Sequence, residues 1–131
     1  MISREIKKIK LDVDWFGWPT WDLKHGGDFD PAELPVSREI LNRLSAWQSA
    51  FNATFNYEYP PDSAFSSDEA RAEWYQEGIE IWLQLQQELG SNYEVYYSFS
   101  YAGKAQLFKL DELPDELRIK WLNDGATNSH L

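Results

Sequence analysis

Apolar residues recur at helical spacing twice in this chain, over residues 37–56 and again over 66–89, with the double proline Pro60-Pro61 between the two runs. No other pattern narrows the possible folds as much, because each run predicts a long amphipathic helix whose apolar stripe needs cover. In the first, Ser37 stands as N-cap and Ile40, Leu44, Trp47, Phe51 and Phe55 follow at intervals of four, three, four and four, which predicts a helix to about Asn56. In the second, Ser66 with Glu69 three residues on has the spacing of a capping box, and Gly90 suits a left-handed C-terminal cap after Leu89. Trp74, Gly78, Ile81, Trp82, Leu85 and Leu89 share one side of that helix, the side expected to pack inward.

The cover is predicted at both ends of the chain. From Lys8 to Trp15, Ile9, Leu11, Val13 and Trp15 alternate with Lys8, Lys10, Asp12 and Asp14, the pattern of a half-buried strand. Gly17 and Pro19 predict a turn into a short edge strand, closed at His25-Gly26-Gly27-Asp28, with an extended loop through Pro31 and Pro35. Tyr93, Val95, Tyr97, Phe99 and Tyr101 form a second alternation, and residues 105–110 read as its hairpin partner across Ala102-Gly103. Pro114 opens a short helix carrying Leu113, Leu117 and Trp121 at spacings of four. The expected architecture is α+β: a small antiparallel sheet, made of an N-terminal strand or hairpin and a C-terminal hairpin, packed against two long helices, with a short C-terminal helix. One domain over residues 1–122 and a frayed tail over 123–131 are expected. A single core should contain Ile9, Leu11, Val13, Leu44, Trp47, Phe51, Trp74, Ile81, Leu85, Val95 and Phe99.

Composition bears on function mainly by exclusion. At 131 residues with 16% aromatics the chain buries enough surface to fold without a disulfide or metal. Zero Cys removes thiolate ligation and a Cys nucleophile. No apolar run approaches the ~18 residues of a membrane span, and the start MISREIKKIK lacks the apolar stretch of a secretory signal, so a cytoplasmic protein is expected; its oligomeric state is left open, with a monomer favoured. Twelve basic residues against 22 acidic ones give a net charge of −10, which disfavours nucleic acid and anionic lipid and favours a cationic partner.

Catalytic readings find little support in the residues. His25 sits in a glycine turn and His130 in the tail, and no G-x-S-x-G is present. Ala102-Gly103-Lys104 lacks the rest of a phosphate loop. Gly26-Gly27-Asp28-Phe29 echoes a cyclase signature without its following Glu. Asp12, Asp14, Asp28 and Asp30 have the short spacings of hard-cation ligands, but neither pair continues into a calcium loop. No metal, cofactor or catalytic set is expected. A pair of carboxylates among the 22 acids keeps a small hydrolase as the alternative.

Two features rise above this background. Glu69, Glu73, Glu77, Glu80 and Glu88 fall on one arc of the second helix, opposite its apolar side. Between Asn52 and Gly103 there are nine acids and one base, Arg71. Three like-charged pairs at helical spacing cost ~1 kcal/mol in all, so either the ridge is a solvated face or a partner brings the missing cations. The other feature is Asp14-Trp15-Phe16-Gly17-Trp18-Pro19-Thr20-Trp21-Asp22, four large aromatics in seven residues flanked by carboxylates. One strand face cannot bury them all. They form either a satellite core under the loop over 28–35 or an exposed anchor of the kind found at protein interfaces; a sugar-stacking platform, hence a carbohydrate-binding module, would have the same composition. The candidate partner-binding residues are Glu69, Glu73, Glu77, Glu80, Asp14, Trp18, Trp21 and Asp22.

The run from Leu11 through Trp21, followed by Glu33-Leu34-Pro35-Val36-Ser37 opening the first helix, resembles small acidic bacterial proteins encoded beside polymorphic toxins. More specifically, the chain over roughly residues 9 to 90 is similar to immunity proteins of contact-dependent growth inhibition systems. That resemblance implies binding to the C-terminal toxin domain of a cognate effector, often a basic nuclease, and covering of its active site. It assigns no role to any single residue and does not say which toxin is bound.

Overall fold

A computed structural model describes the backbone of residues 5–13, 16–101 and 104–109, and the side chains of all of these except 99–101 and 104–106. Strands β1 (Lys7–Leu11), β2 (Thr20–Asp22) and β3 (Asp28–Phe29) precede helices α1 (Arg38–Asn52) and α2 (Asp68–Leu89), and β4 (Tyr93–Tyr101) and β5 (Lys104–Phe108) follow. The α+β class is as expected. The predicted C-terminal helix with Leu113, Leu117 and Trp121, and the tail over 123–131, lie outside the described residues.

The strands form one sheet in the order β3-β2-β1-β4-β5. It is mixed rather than wholly antiparallel, because β4 runs parallel to β1, with Ile9 opposite Val95 and Leu11 opposite Tyr97. Alternation of side chains sets facing and carries no information on direction. A parallel return requires a connection of a dozen residues or more, and the stretch holding both helices supplies it. The outer strand on this side is β3, so β2 is not the edge as predicted. Residues Pro31–Glu33 form a 3-10 turn instead of an extended loop, started by Asp30, whose Oδ1 accepts the Ala32 N–H.

One row of side chains crosses all five strands: Phe29, Thr20, Leu11, Tyr97 and Phe108 are successive partners. Partners in register share a face, and this face carries the core. Thr20 belongs there because its hydroxyl donates to the Phe29 carbonyl at 2.8 Å, which satisfies the buried oxygen. Ile9, Leu11, Leu44, Trp47, Trp74, Ile81, Leu85 and Val95 are buried in a single cluster, with Val13 and Phe51 partly buried against it. The Phe99 side chain lies outside the described residues.

The helices are fastened to each other by tryptophans. Trp47 and Trp74 stack with ring centroids 4.4 Å apart, and each indole N–H donates to the other's backbone carbonyl, at 2.8 and 2.9 Å. Trp82 fastens α2 to the sheet by donating to the Val95 carbonyl at 2.7 Å, and Gln86 bridges the same join through the Val95 N–H and the Tyr93 carbonyl. At Gly78 a Cβ would stand 2.2 Å from the Tyr97 hydroxyl oxygen and 2.5 Å from Trp47 Cζ2. Only glycine lets α2 settle that close to the sheet.

Both helix boundaries differ from the predicted ones at one end. α1 stops at Asn52, before Phe55, because Ala53 and Thr54 tighten the last turn and the Thr54 hydroxyl also takes the Phe51 carbonyl. The N-cap of α2 is Ser67, whose Oγ accepts the Ala70 N–H at 3.0 Å; Ser66 and Glu69 form no capping box. At the other ends the reading holds: Ser37 caps α1 through the Ile40 N–H, and Gly90 takes a φ of +71°.

Candidate functional site

The acidic arc of α2 divides into two halves. In the C-terminal half it is joined to α1. Arg43 grips Glu77 with two bonds of 2.9 and 3.2 Å and donates to Gln84 at 2.9 Å. One cation absent from the local sequence thus comes from 34 residues upstream. Glu88 accepts both the backbone N–H and the hydroxyl of Ser37, at 2.6 and 2.8 Å. The Ser37 backbone bond, above all, holds its carboxyl below the usual range. A capping box closes within one helix; here Glu88 of the neighbouring helix takes the part of its glutamate. Glu80 is half-buried, and burial, then Glu77, pushes its carboxyl up against the opposing pull of Arg43.

The N-terminal half of the arc stays outward. Asp68, Glu69 and Glu73 are exposed, and among the described residues neither Glu69 nor Glu73 forms an ion pair. Asp68 and Glu69 stand in the first helical turn, where the N–H ends of the helix favour negative charge. Glu73 lies beyond that turn. Nearby Arg71 is placed over the Tyr75 ring, 5.4 Å from its centroid.

The aromatic run is divided as well. Trp21 is half-buried: its indole N–H donates to the Asp12 carbonyl at 2.7 Å, and Lys10 lies 5.2 Å from its ring centroid. Asp22 serves its own turn, its Oδ1 accepting the N–H groups of Lys24 and His25, which lowers its carboxyl pKa. Asp14 and Trp15 lie outside the described residues. Phe16 and Trp18, by contrast, are 59% and 48% exposed.

Phe16 has a φ of +65°, the only positive φ of a non-glycine residue among the described residues. A bulky side chain in this region costs ~1–2 kcal/mol, so something must hold it. The Phe16 N–H donates to Asn52 Oδ1 at 3.0 Å, at the end of α1, and the Trp18 N–H donates to Asp28 Oδ2 at 2.8 Å. Between these clamps, a Cβ on Gly17 would stand 3.0 Å from the same Asp28 oxygen. The Phe16 ring meets Phe55 edge-on at 5.3 Å and Tyr57 at 6.2 Å, and those two meet each other at 4.9 Å. Tyr57 and Tyr59 are 77% and 57% exposed. The Phe16 ring is therefore partnered by the segment after α1, while the Trp18 backbone is held by Asp28, where the loop over 28–35 begins. The sequence signal for it was present in Phe55, Tyr57 and Tyr59, three aromatics in five residues beside a helix-breaking double proline.

Carboxylates do gather elsewhere, around an open cleft of about 950 Å³ lined by Glu5, Asp22, Asp28 and Glu33 together with Lys24 and His25. Glu5 is paired with Lys24, Asp22 holds its turn, and Asp28 holds the Trp18 N–H. That leaves no facing pair of uncommitted acids of the kind glycoside hydrolysis uses among these four. Among the described residues no three His, Cys, Asp or Glu side chains converge as metal ligands, and no helix is long and apolar enough to cross a membrane. The structure leaves outward carboxylates on α2 and an exposed aromatic group fixed at the end of α1. Compared with known proteins, residues 7–100 match the family model described as Serratia CdiI immunity protein-like. No individual curated protein matches the chain.

Proposed function

This chain belongs to the Serratia CdiI immunity protein-like family, and from that premise we propose that it neutralises its cognate toxin by covering a cationic, nuclease-type toxin domain with its acidic surface. The family gives the partner, a contact-dependent growth inhibition toxin. The observation that carries the finer reading is the outward half of the α2 arc, where Glu69 and Glu73 are exposed and uncompensated while Glu77 and Glu88 are tied to α1. Charges left unpaired in a free protein of net charge −10 raise the local concentration of a basic partner and speed its encounter. Trp18, exposed and flanked in sequence by Asp14 and Asp22, supplies an apolar contact of its own. Trp21 and Asp22 support this segment through the bonds described above.

The test is reconstitution with the toxin domain encoded by the adjacent reading frame. An equimolar complex should form, and nucleic-acid cleavage by the toxin domain should stop on addition of the chain. A toxin domain that binds the chain yet keeps full activity would overturn the covering of its active site; a bound toxin with no nuclease activity would overturn the nuclease assignment.

A further inference from the structure

We infer that the group formed by Phe16, Phe55 and Tyr57 is the anchor of the toxin interface, and that it receives an arginine or lysine side chain of the toxin. The inference rests on the reading of the chain as a toxin-binding protein and names the contact at its centre.

Three observations meet at this place. The first is exposure: Phe16 and Tyr57 present their rings outward at 59% and 77% of full accessibility, each meeting the half-buried Phe55 edge-on. The second is rigidity. Phe16 sits at a φ of +65°, fixed by Asn52 on one side and, two residues on, by Asp28. A loop free to relax would place glycine there or turn the backbone over; holding phenylalanine in that conformation fixes a ring that the core does not use. An interface side chain already held in its bound position loses less freedom when the partner arrives.

The third is charge. The two stretches that build the group, residues 11–23 and 53–70, hold seven carboxylates and neither Lys nor Arg, with Lys10, Lys24 and Arg71 just outside them and Lys10 paired with Asp12. Ring faces attract cations, and carboxylates around them reinforce the attraction. The chain shows the same pairing within itself, Arg71 over Tyr75 and Lys10 over Trp21. Exposed rings carried by acid-rich segments fit a guanidinium or ammonium from outside better than an apolar side chain.

Dissociation kinetics against the adjacent toxin domain test this. Phe16→Gly removes the ring while suiting the left-handed backbone, so it should leave the unfolding temperature unchanged or raise it while speeding dissociation roughly 30-fold. That split would not arise from a residue serving only the fold. Tyr57→Phe should bind like the parent and Tyr57→Leu should dissociate markedly faster, because leucine keeps apolar area and loses the ring face. Asn52→Ala should speed dissociation, and Asn52→Asp, which keeps the acceptor, should restore it. If the parent binds and Phe16→Gly dissociates at the parental rate, the anchor assignment falls while the proposed function stands. If Tyr57→Leu binds like the parent, the cationic occupant is wrong. If the parent does not bind the toxin domain, the proposed function itself fails, and the anchor with it.

Discussion

Gly78→Ala measures how closely α2 is seated on the sheet. In a helix interior this substitution should stabilise by about 1 kcal/mol, since alanine is the better helix former. The structure opposes that gain with three contacts: the new Cβ would lie 2.2 Å from the Tyr97 hydroxyl oxygen, 2.5 Å from Trp47 Cζ2 and 2.9 Å from Tyr97 Cζ. Neither ring can swing away, because Trp47 and Tyr97 are 2% and 1% exposed and Trp47 is bonded to the Trp74 carbonyl. Overpacking of this sort costs ~1–3 kcal/mol, and contacts this short put it at or beyond the upper end. The net is a loss of about 1–2 kcal/mol or more. For 131 residues an unfolding entropy of about 2 cal/mol/K per residue makes each kcal/mol worth about 4 °C, so the midpoint should fall by at least ~4–8 °C. Thermal unfolding followed by tryptophan fluorescence reads this directly. Adding Tyr97→Phe, which deletes the nearest atom, should recover part of the loss as a favourable coupling. A Gly78→Ala protein as stable as the parent would mean that helix propensity prevails and that α2 does not rest on Tyr97 and Trp47 at this distance.

Other substitutions test the joints around the site. Ser37→Ala should cost ~1 kcal/mol in chemical unfolding, through the α1 cap and the Glu88 bond. Glu80 and Glu88 should show opposite pH dependence in unfolding experiments. Glu80 is pushed up by burial, so its contribution is full below the unfolded value of about 4.3 and is lost as pH rises through the folded one; Glu80→Gln should be the more stable protein at pH 7, with the gain gone below about pH 4. Glu88 is held down by the Ser37 N–H, so its contribution is present above the ordinary carboxylate value and lost as pH falls through the folded one; Glu88→Gln should be less stable at pH 7 and equal to the parent in acid. Trp21→Phe should lower stability by about 1 kcal/mol through the lost bond to Asp12, with toxin dissociation unchanged; a faster dissociation at full stability would place Trp21 in the interface instead.

Sequence periodicity revealed what depends on local repetition. The buried side of α2 was legible because Trp74, Gly78, Ile81, Trp82, Leu85 and Leu89 repeat over a 22-residue helix, long enough for the period to be unambiguous. The end of α1 was not, because Phe55 continues the period while the Thr54 side chain ends the helix. The parallel pairing of β4 with β1 was hidden because alternation is blind to strand direction. At the site the same division holds. The acidic arc was visible as spacing, but Arg43 reaches Glu77 from the other helix, outside any local count of charges. The aromatic density of residues 15–21 was visible too, whereas the positive φ of Phe16 beside a glycine better suited to it depends on Asn52, 36 residues away. Contacts made across the fold decide which charges and rings are left for a partner.

The salt dependence of association with the adjacent toxin domain bears most directly on the account. If the outward carboxylates of α2 draw in a cationic toxin, the association rate should fall steeply as salt rises past ~0.15 M, where screening limits charge to about 8 Å. Glu69→Lys combined with Glu73→Lys should slow association at low salt and flatten that dependence, while leaving the Arg43–Glu77 pair and the fold intact. An association rate indifferent to salt, and unchanged by the double reversal, would contradict capture of the toxin through the acidic surface.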